Sequence, residues 1–231
     1  NNKKKHFHFD IQADIRYPST EIIDLSTFTS KWINWNEGIV TEDIGDWHGP
    51  PEPGYPEVTN IRNQNKRSGW YNPDHAEFTD YIFSFDVQAR RNDDDMYGAI
   101  FRYDPTTQNF YSFEWDDVTE NGGFGINGMA IYRNICLNPD EYGINPLKYQ
   151  KTRLAYNSER WGANQHLIHH VQIAVIGSRI TVWTDGALKM DVVDTDPNAL
   201  KKGAWGPVTA SQPYTYFWNF KFTKYLTRSF V

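Results

Sequence analysis

From His169 to Val193 the chain reads HHVQIAVIGSRITVWTDGALKMDVV, with apolar residues at every second position and two glycine-bearing turns between the runs. A period of two is the mark of a strand that buries one face. A two-residue turn at Gly177-Ser178 sets Val175 opposite Ile180 and Ile173 opposite Val182, so β-branched side chains share one face. Beyond Thr184 two registers compete. A two-residue turn at Asp185-Gly186 brings Lys189 beside Val182, whereas a three-residue loop with Gly186 as a left-handed bulge brings Leu188 beside Val182 and Met190 beside Ile180. The second keeps the core face apolar and is the expected one; Trp183 is then left on the opposite face, beside Gln172.

The same period recurs at both ends. Phe7, Phe9, Ile11, Ala13 and Ile15 alternate with polar residues, and Tyr216, Trp218, Phe220 and Phe222 alternate with Phe217, Asn219 and Lys221 near the close, so the terminal strands are expected to pair. Only DPNALKKG (196–203) reads as a helical turn with a glycine stop. The expectation is an all-β fold, a two-sheet antiparallel sandwich with long loops. Two stretches resist strand assignment: residues 45–60, where Pro50, Pro51, Pro53 and Pro56 exclude a central strand, and residues 133–165. Both are expected to be long loops of the kind that carry function.

A length of 231 residues suits one large sandwich domain, expected to span 1–231 with 1–5 as a flexible tail. A net charge of −6 argues against a nucleic-acid partner, since the basic run Lys3-Lys4-Lys5 is confined to the tail. No apolar run is long enough to span a membrane. The chain begins without Met or an apolar leader, so it reads as a processed or excised part of a larger protein. The single cysteine, Cys136, excludes an internal disulfide and any paired-cysteine metal or redox motif, and is expected to be a buried thiol.

Residues 90–117, RRNDDDMYGAIFRYDPTTQNFYSFEWDD, read as a hairpin with acid at both ends. With DPTTQN (104–109) as its loop, Tyr103 faces Phe110, Arg102 faces Tyr111 and Ile100 faces Phe113. Asp93, Asp94 and Asp95 then meet Asp116 and Asp117 at one sheet edge.

The run Asp93-Asp94-Asp95, then Tyr97-Gly98-Ala99-Ile100-Phe101-Arg102-Tyr103, a polar turn, and Phe110-Tyr111-Ser112-Phe113-Glu114-Trp115 resembles the centre of the thrombospondin C-terminal domain. Trp35 to Gly38 resembles that domain's early strand and turn, Gly177 to Asp191 its late hairpin, and Gly203 to Phe222 its closing strand. The resemblance covers roughly residues 25–223. It implies a lectin-like jelly roll of the concanavalin A-like and laminin G-like kind, an extracellular setting, and in many members bound calcium.

Three functional readings follow. The five acids at the hairpin edge repel one another, and a structural Ca²⁺ liganded by Asp93, Asp94, Asp95, Asp116 and Asp117 would relieve this. Glu114 and Asp116 share a strand face, as the acid and nucleophile of a glycosidase do, and Glu114-Trp115-Asp116 resembles the acidic strand of laminarinase-type jelly-roll hydrolases. There the third acid, Glu120, falls one residue too far along. Sugar rings stack on aromatic faces while their hydroxyls take directional hydrogen bonds, and this points to Trp47, Tyr55, Trp70, Tyr71, Tyr132, Trp161 and Trp183, with Arg102 as a polar partner. No phosphate loop, dinucleotide fingerprint, nucleophile elbow or histidine spacing for a metal is present. The expected protein is a secreted or cell-surface, non-catalytic module that binds carbohydrate and carries a structural calcium ion. A jelly-roll glycosidase and a protein-adhesion or matrix-binding module are the alternatives.

Overall fold

A computed structural model describes residues 16–22, 31–34, 46–48, 58–62, 67–71, 75–90, 93–117, 126–138, 149–162 and 166–227. Within these, no α-helix occurs and the chain runs as antiparallel strands in two sheets. One sheet is ordered β13 (Ala187–Val193), β12 (Arg179–Thr184), β11 (His169–Ile176), β6 (Tyr81–Ala89), β15 (Thr215–Thr227), β4 (Val58–Arg62) and β3 (Asp46–His48). β1 (Arg16–Ile22) joins this sheet along the second half of β15. The other is ordered β10 (Tyr149–Asn157), β9 (Met129–Cys136), β8 (Phe110–Trp115), β7 (Met96–Tyr103), β14 (Ala204–Ala210), β5 (Arg67–Tyr71) and β2 (Lys31–Asn34).

The core lies between the sheets and is built by alternation. Phe83, Phe85 and Val87 of β6 and Val171, Ile173 and Val175 of β11 face Phe101, Tyr111, Phe113 and Trp115 of the other sheet. Trp205 of β14 stacks on Phe83 with ring centres 4.8 Å apart and on Phe222 at 5.5 Å. Each such ring, fully buried, adds about 1.5–3 kcal/mol of transfer free energy. This aromatic filling explains how a polar-rich chain closes a two-sheet core.

The β11–β12 hairpin has the expected register, with Ile173 opposite Val182, Val175 opposite Ile180, and Trp183 opposite Gln172 on the outward face. The β12–β13 hairpin follows neither expected register throughout. Asp185 (φ 52°) and Gly186 (φ 76°) make a two-residue turn, and a bulge at Lys189 then slips the strand so that Met190 meets Val182. The apolar face is preserved by the bulge rather than by a longer loop.

The β7–β8 register also differs. Asp104 N–H donates to Asn109 O as expected, but Phe101 then faces Tyr111, Ile100 faces Ser112 and Gly98 faces Glu114. Arg102 is the extra residue, at φ 50°, and the same bulge appears against β14. Its guanidinium donates to Leu200 O at 2.6 Å and Thr79 O at 2.7 Å, and its backbone N–H to Tyr81 Oη at 2.9 Å, which offsets the cost of a left-handed backbone. Gly98 is required by close approach: a Cβ there would lie 1.9 Å from Phe113 O.

Residues 133–165 contain strand rather than a continuous loop, because β9 runs on to Cys136 and β10 covers Tyr149–Asn157. Residues 196–203 form a turn held by Ala199 N–H to Asp196 O, with no helix. Cys136 is a buried free thiol. The expected opening strand Phe7–Ile15 and the tail 1–5 lie outside the described residues; Arg16–Ile22 is the segment seen paired with the closing strand.

Candidate ligand-binding face

Alternation along β8, β9 and β10 sends one set of side chains to the core and another to the outer face of the seven-stranded sheet. The outward set is Ser112 and Glu114 on β8, Tyr132 and Asn134 on β9, and Tyr149, Lys151, Arg153 and Tyr156 on β10. Arg153 and Tyr156 stay on one face although three apart, because a bulge at Leu154 absorbs the odd residue and turns Leu154 and Ala155 to the core.

Four of these groups, Lys151, Glu114, Ser112 and Asn134, form one hydrogen-bonded relay. Lys151 Nζ donates to Glu114 Oε2 at 2.8 Å and lies 3.9 Å from the centre of the Tyr132 ring. Ser112 Oγ donates to Glu114 Oε1 at 2.8 Å, and Asn134 Nδ2 donates to Ser112 Oγ at 3.1 Å. The relay stops there: Asn134 Oδ1 is buried and accepts no hydrogen bond from any described residue. A buried acceptor left unmet costs about 1–3 kcal/mol, which sets Asn134 Oδ1 apart from the hydrogen-bonded groups of the relay. At the β10 edge the face meets solvent, with Arg153 exposed, its guanidinium 5.2 Å from the Tyr156 ring centre, and Tyr156 45% exposed. Beside the relay lies an apolar floor of Tyr71, Ile100, Tyr103 and Phe110.

The predicted ligand-facing residues divide by location. Tyr132 lies in the relay. Trp70 and Trp161 are core side chains, and Tyr71 is part of the buried apolar floor, so none of the three offers an exposed ring face. Arg102 is 1% exposed and spends its guanidinium on backbone carbonyls. Trp183 is half-buried on the outer face of the other sheet. Trp47 belongs to the edge strand β3, opposite Asn60, and Tyr55 lies outside the described residues. Sequence reasoning missed Ser112, Asn134, Lys151, Arg153 and Tyr156; the available signal was the outward series Tyr149, Lys151, Arg153 in YQKTRLAYN.

Glu114 and Asp116 do share a face, as expected of alternate residues. Asp116, however, is fully buried and holds the next loop, accepting from Ile126 N–H at 2.8 Å and Gly128 N–H at 3.1 Å. Burial raises its carboxyl pKa, the backbone donors oppose the rise, and Glu114 adds to it. Both its oxygens are thus engaged in structure.

The two acidic runs meet at one edge, where Asp117 N–H donates to Asp94 O at 3.0 Å. The carboxylates of Asp93, Asp94 and Asp95 come within 4.8 Å of one another. Burial and the neighbouring Asp93 charge push the Asp95 carboxyl up to about 7, and burial raises that of Asp93 too. Asp116 is turned away into its loop, and Asp117 lies 3.7 Å from Arg160. The residues that fit a hard cation are therefore Asp93, Asp94 and Asp95, an all-oxygen donor set whose mutual repulsion a cation would neutralise.

The fold is a two-sheet antiparallel jelly-roll sandwich. In fold the chain is similar to the carbohydrate-binding module CBM66 from Bacillus subtilis, with a TM-score of 0.54 and 16% identity over 84% of this chain and 96% of that one. It is similar also to the exoplasmic/lumenal domain of VIP36 in its Ca²⁺-bound form, with a TM-score of 0.50 and 12% identity over 86% of this chain and 91% of that one. At these identities the likeness is one of fold. No protein-family model matches the chain, and no curated protein matches it in sequence. No helix among the described residues is long and apolar enough to cross a membrane.

Proposed function

We propose that this protein is a non-catalytic carbohydrate-binding module, secreted or displayed at a cell surface as a single domain of a larger protein. It would take its glycan on the outer face of β8, β9 and β10. The observation that carries this reading is the relay Lys151–Glu114–Ser112–Asn134, which ends in the unmet acceptor Asn134 Oδ1. A sugar hydroxyl supplies the missing donor, while the exposed ring of Tyr156 provides a face for the sugar's C–H groups. Strand-borne groups already locked by one another are pre-organised, so little entropy is lost on binding. The solved carbohydrate-binding module of like fold supports the class of ligand.

The reading includes a structural calcium ion held by Asp93, Asp94 and Asp95 at the β7 edge of the same sheet. The raised Asp95 pKa supports it, because a carboxylate pushed up by burial and by the neighbouring Asp93 charge is one that a cation would re-ionise.

Glycan-array screening followed by calorimetry tests the binding. The expected result is a ligand whose affinity falls about tenfold in Asn134→Ala, the loss of one well-made hydrogen bond, with a smaller loss in Tyr156→Ala. Silence across diverse glycans, or unchanged affinity in Asn134→Ala, would sink the reading.

A further inference from the structure

The eight-stranded sheet also has an outward face, and its central strands place an ordered set of groups there. Trp183 of β12 is opposite Gln172 of β11, which is opposite Ser84 of β6. One row along, His170 of β11 is opposite Asp86 of β6, which is opposite Trp218 of β15. Their sequence neighbours Val182, Val171, Ile173, Phe85 and Phe217 are all core, so these side chains face outward. Trp183, Gln172, His170, Asp86 and Trp218 are each half-buried, neither sealed nor fully extended into solvent.

The polar groups are held in place. His170 Nδ1 lies 2.6 Å from Asp86 Oδ1, and Asn219 Nδ2 donates to Asp86 Oδ2 at 2.9 Å. The carboxylate engages Nδ1, which leaves Nε2 without a hydrogen bond to any described residue. Asn219 reaches Asp86 because it sits at φ 55° in a bulge that locally widens β15. Three strand spacings separate Trp183 from Trp218, about 14 Å across the strands, with an offset of about 7 Å along them.

We propose that this face is a second carbohydrate site, a platform for a polysaccharide chain running across β12, β11, β6 and β15. Two half-exposed indoles set apart from each other suit the C–H faces of successive sugars, and the planar polar groups of Gln172, His170 and Asn219 between them suit hydroxyls. A protein partner would be served better by contiguous apolar area, which the polar row between the two indoles interrupts. The site is distinct from the β8–β10 relay, which lies on the other sheet.

Retention on microcrystalline cellulose, chitin and curdlan particles tests the platform, using wild type, Trp183→Ala, Trp218→Ala, His170→Ala and Asn134→Ala. Wild type is expected to be retained on one of these polymers, with about tenfold weaker retention in each tryptophan variant and a smaller loss in His170→Ala. Asn134→Ala should keep its polymer retention even where it loses soluble oligosaccharide binding. Each variant's melting curve accompanies the assay, and half-exposed His170 serves as the reporter if a tryptophan variant unfolds. Wild type retained on none of the polymers, or equally well in Trp218→Ala and His170→Ala, overturns the proposal, as does capture of a protein with no polymer binding. Loss confined to Asn134→Ala would overturn the platform while leaving the relay site intact.

Discussion

Two acidic groups on the seven-stranded sheet stand in contrast. Glu114 is the deeper, at 1% exposure, and the chain supplies its own compensation in Lys151 and Ser112. Asp93, Asp94 and Asp95 are only half-buried, yet among the described residues no Lys or Arg pairs with them, and the Asp95 carboxyl is pushed up to about 7. Depth alone therefore does not decide whether a carboxylate is tolerated. What decides is whether an opposite charge is built beside it: where one is, the unmet group moves to the far end of the relay, at Asn134; where the described residues supply none, the demand for positive charge stays at the surface, open to a cation from solution.

The contrast breaks most sharply at Lys151. Lys151→Met removes the ammonium that compensates the buried Glu114 charge and is expected to cost about 3–5 kcal/mol in denaturant unfolding, whereas the double change with Glu114→Gln should recover most of it. If the single variant loses under about 1 kcal/mol, water is compensating Glu114 and the relay is not sealed.

Calcium separates the two groups next. Added Ca²⁺ should raise the melting temperature, with a stabilisation of about 2.7 kcal/mol once its concentration is a hundredfold above Kd. Asp95→Asn should abolish the response and Lys151→Met should keep it. A midpoint unmoved by Ca²⁺ or chelator would remove the ion from the account.

The smallest effect is one of pH. Because the folded Asp95 pKa is raised above its unfolded value, its protonated form favours folding. In chelator, this contribution is fully present below about pH 4 and is lost as the pH rises through about 7, since the folded state binds the extra proton in that window. Wild type should thus become less stable from pH 5 to pH 7 relative to Asp95→Asn in matched urea melts. Parallel profiles would show that neither burial nor the Asp93 charge raises the Asp95 carboxyl.

Much of the fold was readable because burial on one face writes a period of two into the sequence, and β11–β12 followed it residue for residue. Bulges write no such signal. Arg102 adopts φ 50° with no glycine to announce it, and the hairpin register slipped by one residue there. The β10 sequence reads as loop because it is an edge strand, its outward residues include Lys151 and Arg153, and its bulge at Leu154 breaks the alternation. The candidate site was less legible for the same reason, since Asn134 and Lys151 fall in that stretch. Counting tryptophans could not help: Trp70 and Trp161 belong to the core and Trp183 to an outer face, and only strand register distinguishes them.

The central claim is that a glycan completes the relay at Asn134, and the side-chain amide signal of that residue reads it directly. In a ¹⁵N-labelled protein titrated with a glycan found on the array, the Asn134 Nδ2 resonances should shift and saturate with the calorimetric Kd, accompanied by Lys151 and Tyr156. Saturable binding that leaves Asn134, Lys151 and Tyr156 unmoved would contradict the account.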